Sequence, residues 1–421
     1  MKLLINICAH DGIISHYTGV GTMVDRYILE SINFCTKNNY DYEINLFTPQ
    51  YNTNSFGFSA DFSKKRECSC NINVVQVSNG SNAKVNFGII DNWKVLCVNT
   101  SEIINKIKYD KFDKVITICN DAPYVGLIEL LNCNSNHIKV WIPHSTIKIH
   151  KVDSAIQNSE NFYQQRLDWE QNCINYINSH QNTFVGCVSD YLRKHLIYEY
   201  SLIDSKAINI INGEDLSQTP KATFSKTCID LFAPLQKYDC LIMSFGRAEE
   251  YKNLEAAFYL GKELNIMPIV LAQSYYKGQP IKEHYKDISK TLGGIFFDDP
   301  PFDFAKYIIS NYKGILIVLV PSKAEIFGLI INEVRKYNKD NVLIVANNVG
   351  GLVEQIQDGV DGVLVDLNDI KSSSQKILKY LNTNKIAAIN KQSHITLKNR
   401  YDFKKIFDSF MNIVLGGAKN E

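Results

Sequence analysis

What most limits how this chain can fold is a repeated rhythm: short, largely apolar runs, each followed by a longer stretch with helical spacing. Lys2–Cys8, Val115–Cys119, Lys139–Ile142 and Thr183–Cys187 are such runs, too short to be ordinary helices. Apolar on both faces, they predict strands buried on both sides, as in a parallel sheet covered by helices. Helical stretches separate them at Thr22–Lys37, Pro123–Leu131, Ala155–His180 and Tyr191–Tyr200. The rhythm restarts at Cys240–Phe245 and continues through Pro268–Ala272, Gly293–Phe297, Ile315–Val320, Val342–Ala346 and Gly362–Val365. Parallel strands joined through helices need right-handed crossovers. The expected fold class is therefore α/β, with two Rossmann-like, doubly wound domains whose strand ends face one another across a cleft.

Length agrees, since 421 residues exceed one ordinary domain and leave room for two of about 200. The expected organisation is a first domain over 1–216, a connection over 217–237, a second domain over 238–400 and a final segment over 401–421. The connection falls in the polar stretch Gly213–Lys237, which carries Pro220 and Pro234 and has no clear period. The final segment is amphipathic over Tyr401–Leu415. With 45 basic residues against 44 acidic ones, the net charge gives no reason to expect a nucleic acid partner. No apolar run approaches the ~20 residues of a membrane span. The opening run meets His10 and Asp11 too soon to form a signal core. The expectation is a cytoplasmic chain without a transmembrane segment, with peripheral membrane contact left open. The eleven cysteines form no CxxC pair and read as reduced thiols; Cys68 and Cys70 are a weak metal-ligand candidate.

In parallel α/β folds ligands gather in the loops after strands. The strand Gly314–Val320 runs into Pro321, and Gly328 then permits a close turn before a helix near Leu329. A helix start offers unpaired N–H groups and partial positive charge, which suit a phosphate. Glu325 and Glu333 flank that turn, and carboxylates accept hydrogen bonds from hydroxyls, so sugar and ribose are their natural ligands. After the strand Leu241–Phe245 come Gly246, Arg247, Lys252 and Asn253, with a helix expected from Leu254. Arg247 can grip phosphate oxygens through two parallel bonds while Lys252 acts as a point charge. Either cation could equally be a surface residue balanced by Glu249 and Glu250. Gly350 and Gly351 after Val342–Ala346 permit close backbone approach, a weak signal by itself, and Asp358–Gly362 reads as a structural turn. In the first half, Thr18-Gly19-Val20-Gly21 stands in a long loop before a helix, resembling half of a dinucleotide fingerprint. His144 directly follows a strand, whereas His10, His16 and His150 are less well placed. Ser189 reads as a helix cap.

Taken together these segments resemble a known family. Glu325-Ile-Phe-Gly-Leu-Ile-Ile-Asn-Glu333 looks like the E-x7-E signature of retaining GT-B glycosyltransferases of family four, the glycosyl transferases group 1. Gly246-Arg247 with Lys252-Asn253, Gly350–Gly362 and Asn212-Gly213-Glu214-Asp215 resemble further segments of that family, in its order. The resemblance implies a donor-binding second domain, an acceptor-side first domain and a last helix that crosses back to the first domain. It implies that Arg247 and Lys252 neutralise the donor diphosphate, that Glu333 holds the ribose and that Glu325 meets the transferred sugar. Amides of Phe327, Gly328 and Leu329 would meet phosphate and sugar, with Gly246 at the turn. His144 would line the sugar, and the Gly19–Gly21 loop would cover phosphates or acceptor.

The implied reaction moves a hexose or N-acetylhexosamine from a nucleotide diphosphate sugar, UDP first, onto a hydroxyl of a glycan or a small, aminocyclitol-like acceptor. No cofactor is implied. The chain has no Asp-x-Asp pair to hold a metal on the phosphates, and Arg247, Lys252 and the helix start near Gly328 can replace that charge. The paired glycines many members have in the first loop are replaced here by Thr18-Gly19-Val20-Gly21. Two rival readings are an inactive nucleotide-sugar-binding protein and a nicotinamide oxidoreductase; the incomplete GxGxxG speaks against the latter.

Overall fold

A computed structural model describes residues 1–51, 57–67, 71–81, 89–151, 159–217, 224–274 and 279–416. Cys68 and Cys70 lie outside the described residues. The chain divides into two compact units. Of the described residues, 1–151, 159–212 and 404–416 form the first unit, and the second comes from 213–403.

The first unit holds strands β1 (Lys2–Cys8), β2 (Asp41–Pro49), β3 (Ile72–Val77), β4 (Lys114–Asn120), β5 (His137–Ile142), β6 (Thr183–Cys187) and β7 (Ala207–Asn209). They form one parallel sheet in the order β3-β2-β1-β4-β5-β6-β7. Its centre is fully buried: Ile5 pairs in register with Ile44 on one side and Ile116 on the other, which is why these strands read as unbroken apolar runs. Sequence reading misses β2, β3 and β7. β2 begins with exposed and half-buried residues, while β3 and β7 are short edge strands, so none carries a two-faced apolar signature. The last helix, Phe403–Val414, belongs to this unit from Lys404 onward, and Phe407 stacks near Tyr27.

In this unit two helix assignments shift. The first helix begins at Gly19, not Thr22: the Thr18 side chain caps it by accepting from the Gly21 amide, so Gly19 and Gly21 form a first helical turn rather than a loop. The stretch Pro123–Leu131 splits into a 3-10 turn, Ala122–Tyr124, and a short helix, Leu127–Leu130. Pro123 and Gly126 interrupt the ladder there.

The second unit holds β8 (Cys240–Arg247), β9 (Met267–Gln273), β10 (Ile295–Asp298), β11 (Ile315–Val320), β12 (Val342–Asn347) and β13 (Val363–Val365), parallel in the order β10-β9-β8-β11-β12-β13. Ile317 is buried between Ile242 and Leu343. The stretch 217–237, read as a connection, is not a bare linker. Lys226–Phe232 is a helix whose Cys228 and Phe232, with Leu235, enter the core of this unit. In both units the chain order reverses beside the first strand, which opens a crevice at the strand C-termini.

Candidate active site

At the C-terminal edge of the second sheet three loops are tied to one another. After β8 the chain makes a 3-10 turn, Glu250–Lys252, and Asn253 follows in the left-handed conformation. The α-helix starts only at Ala256, so Lys252 stands on a turn and not, as the sequence suggests, at a helix start. Asn253 Nδ2 donates to the Pro321 carbonyl at 3.2 Å, and the Lys323 amide donates to the Tyr251 carbonyl at 2.7 Å. The loop after β8 is thereby fastened to the loop after β11. Asn347, at the end of β12, donates to the Ser322 carbonyl at 3.0 Å. Gly351 completes the join by donating its amide to the Glu325 carbonyl at 2.8 Å. A Cβ on Gly350 would collide with the Glu325 carbonyl oxygen, and one on Gly351 with that of Ile326. Only glycines let these backbones meet.

That join sets the charges. Lys252 Nζ donates to Glu325 Oε2 at 2.7 Å, with only 15% and 17% of the two side chains exposed. Ser322 Oγ also donates to this carboxylate at 3.3 Å. Burial works to discharge Lys252, but Glu325 and Tyr251 together outweigh it and hold the ammonium above the ordinary lysine range. Arg247 Nη2 donates to the Tyr251 hydroxyl at 2.8 Å and lies 3.0 Å from Glu249 Oε2. Burial opposes its charge too, and Tyr251, Glu249 and Glu325 together raise its pKa. Two fixed cations thus stand at one strand edge. Beside them Gly328, at φ +79°, leads into the helix Leu329–Tyr337, whose first N–H groups have no partner within the helix. Glu333 lies further along that helix and faces Lys306, whose ammonium burial would discharge but Glu333 and Asp303 hold charged.

A buried anchor keeps this helix in place. Arg335, with no exposed surface, donates to the Gln355 carbonyl at 2.7 Å and lies 3.2 Å from Asp361 Oδ2. Asp361 also accepts from Thr396 Oγ1 at 2.7 Å and from the Gln357 amide at 2.8 Å. The turn Asp358–Gly362 is therefore structural, as its composition suggests.

In the first unit the strand ends gather different groups. His144 follows β5, His10 follows β1 and Asp121 follows β4. His10 Nδ1 lies 4.0 Å from Asp121 Oδ2, and the Tyr27 ring is centred 6.2 Å from that of His144. Burial pushes the His144 imidazole down to about 4, partly opposed by Asp121. Its Nε2 is buried and has no hydrogen-bond partner among the described residues. Burial works to raise the Asp121 pKa, but His10, His144 and Arg166 win, and it stays below the usual carboxylate value. Asp121 also adopts φ 62°, a conformation costly for a non-glycine residue and typical of functional turns. Asp11 holds the loop before the first helix by accepting from Thr18 N at 2.8 Å, Gly12 N at 2.9 Å and Ser15 Oγ at 2.9 Å.

Residues 301–396 match the model of the family described as glycosyl transferases group 1. The chain carries a glycosyl transferases group 1 domain. Among curated relatives, a D-inositol 3-phosphate glycosyltransferase of Thermobifida fusca is 29% identical over 189 residues, covering 41% of this chain and 41% of that protein. Among solved structures, a sucrose-phosphate synthase of Thermosynechococcus elongatus superposes with TM-score 0.75 at 14% identity, covering 97% of this chain and 98% of the other. The Anabaena protein HepE, in complex with UDP and glucose, superposes with TM-score 0.67 at 16% identity over 98% and 99% of the two chains. The fold is GT-B, with two Rossmann-like parallel sheets, and the chain is a glycosyltransferase.

In this transferase, Gly246, Arg247, Lys252, Glu325, Phe327, Gly328, Leu329 and Glu333 all belong to the second unit, while Gly19, Gly21 and His144 belong to the first. Arg247, Lys252 and Glu325 converge, and Glu333 sits apart with Lys306. Sequence reading did not mark Asp121 and set His10 below His144, whereas the structure places His10 Nδ1 4.0 Å from Asp121 Oδ2. Asn120-Asp121 ends the strand beside β1, so the rule that places ligands after strands could have found it. No helix among the described residues is long and apolar enough to cross a membrane.

Proposed function

We propose that this transferase moves a hexose or N-acetylhexosamine from a UDP-sugar to an acceptor hydroxyl, with retention at the anomeric carbon and without a metal. The observation that carries the reading is the cation pair at the end of β8, with Lys252 held charged by Glu325. Breaking the bond between the anomeric carbon and the diphosphate leaves negative charge on the leaving group while positive charge develops on the sugar. Fixed cations aimed at the first charge lower the barrier because they need no reorganisation. Until a donor arrives, Lys252 and Glu325 neutralise one another. A bound diphosphate would then take over Lys252, freeing the Glu325 carboxylate to accept from sugar hydroxyls. Glu333 would accept from the ribose, and amides at Phe327, Gly328 and Leu329 would complete the anion cradle.

In the first unit, His144 and Asp121 would meet the sugar and the incoming hydroxyl, with the helix start at Gly19–Gly21 nearby in that unit. The acceptor in this reading is a glycan or a small polyol of the aminocyclitol kind. UDP is the first candidate because HepE was solved with UDP and glucose. Cytoplasmic location, with or without peripheral membrane contact, belongs to the same reading. The test is release of the nucleoside diphosphate from a panel of UDP-, GDP-, ADP- and dTDP-sugars, with and without polyol acceptors, in buffer containing a chelator. Transfer that requires an added divalent ion would remove the metal-free mechanism. Absence of turnover with every donor, together with no thermal shift, would remove the donor assignment itself.

A further inference from the structure

We propose that Trp141 and Trp169 are positioning residues: their indole N–H groups hold the turn Asp121–Ala122 in a strained backbone conformation and so fix the Asp121 carboxylate beside His10 and His144. This rests on the reading above in which Asp121 serves the transfer. Asp121 has φ 62° and ψ −178°, a region occupied almost only by glycine. Another residue stays there only where its surroundings over-determine it. They do so here, at each main-chain polar group in turn. The Asp121 amide donates to the Ile142 carbonyl at 2.9 Å. The Asp121 carbonyl accepts from Trp141 Nε1 at 3.2 Å. The Ala122 amide donates to the Asp121 carboxylate, and the Ala122 carbonyl accepts from Trp169 Nε1 at 2.9 Å.

Both indoles are themselves held fast. Trp141 lies on β5, in register with Cys119, and has no exposed surface. Trp169 lies on the helix Glu160–Ser179 and packs against a small buried cluster of Ile90, Trp93 and Ala122. Its ring also presses on Gly126, where a Cβ would collide with it. The next residue on that helix, Glu170, is fully buried and accepts the Ile147 amide at 3.1 Å, three residues past His144. One helix therefore fastens both loops, Trp169 the one that carries Asp121 and Glu170 the one that follows His144. The choice of indole has a chemical reason. It is a neutral group that only donates, so it fixes a carbonyl without pairing with the nearby carboxylate. A lysine or arginine in the same place would neutralise the anion it was meant to orient.

The experiment uses the full chain with Trp169→Phe and Trp141→Phe, which remove the N–H and keep most of the packing. With the donor and acceptor that turn over best in the panel above, kcat is expected to fall by about tenfold in each variant. The Kd for UDP should stay within about twofold, and the acid limb of the pH–rate profile should move up as the Asp121 carboxylate loses its fixed neighbours. Wild-type kcat and pH profile in both variants would overturn the proposal. So would a fall in kcat matched by an equal loss of UDP binding, the mark of general damage to the fold. A second pair needs no turnover. Asp121→Gly and Asp121→Ala both delete the carboxylate, but only glycine takes the observed backbone angles without strain. The glycine variant is expected to melt roughly 2–10 °C above the alanine variant, and that gap should shrink when Trp169→Phe is added, since the turn is then free to relax. Equal midpoints for the two, or a gap that Trp169→Phe leaves unchanged, would overturn the proposal. If no donor turned over, the transfer reading would fall, while the melting comparison would still decide whether the indoles hold the turn.

Discussion

In the second unit the strand ends hold cations, Arg247 and Lys252, each beside an acidic partner. In the first unit the corresponding strand ends hold imidazoles, His10 and His144, with the carboxylate Asp121 beside them. Both groups sit on the same kind of parallel sheet, and what separates them is how burial is compensated. A buried ammonium next to a carboxylate keeps its charge, whereas a buried imidazole without a strong partner gives up its proton. One unit therefore presents fixed positive charge, suited to an anionic leaving group. The other presents the neutral His144 imidazole beside the Asp121 carboxylate, suited to hydroxyls.

The comparison can be broken or sharpened by substitution. The largest expected effect falls on stability and separates the second unit's buried cations by role. Asp361→Ala would leave Arg335 buried and unpaired, costing about 3–5 kcal/mol, read as a lowered denaturation midpoint. Next come Lys252→Ala and Arg247→Ala, each expected to cut turnover by roughly 10²- to 10³-fold, the scale of losing one preorganised electrostatic contact. Wild-type rates in both variants would eliminate the clamp. Asp121→Asn and His144→Ala should lower kcat by about tenfold, at the low end for a positioned polar group, while the Kd for UDP stays at its wild-type value. A matching rise in that Kd would mean the two units do not divide the chemistry in this way.

A separate effect concerns pH. His137 and His144 are each held at about 4 by burial, below the unfolded value near 6.5. The unfolded chain therefore binds protons that the folded one refuses. Their stabilising contribution is complete above pH 6.5 and declines as pH falls toward 4, by up to about 3 kcal/mol for each imidazole. Denaturation at pH 7 and pH 4.5, comparing wild type with His137→Gln, checks the sign. A variant that loses as much stability on acidification as wild type would show that this imidazole is not responsible.

Legibility in the sequence followed the range of the interactions. β1, β6 and β11 have the boundaries their apolar runs predict, because burial on both faces marks every residue of a central strand. β2 and β3 went unread because edge and half-exposed strands lack that mark. In the second unit Glu325, Gly328 and Glu333 lie in one short segment, so local spacing was enough to mark them as candidates. In the first, His10, Asp121 and His144 come from three separate loops and meet only because β4 pairs with β1 and β5 pairs with β4.

The sequence alone determined which stretches are the strands apolar on both faces, that the chain builds two parallel sheets, and which residue types stand after those strands. Apolar periodicity and turn chemistry are properties of neighbours along the chain, and any window of residues displays them. Only the tertiary structure decided that Lys252 is charge-locked by Glu325, 73 positions away, and that Gly350 and Gly351 are needed to pass against that carboxylate's own backbone. It also decided that the Gly19–Gly21 turn is helix and not loop. Those outcomes depend on strand order and close packing, which bring together groups that no local pattern connects.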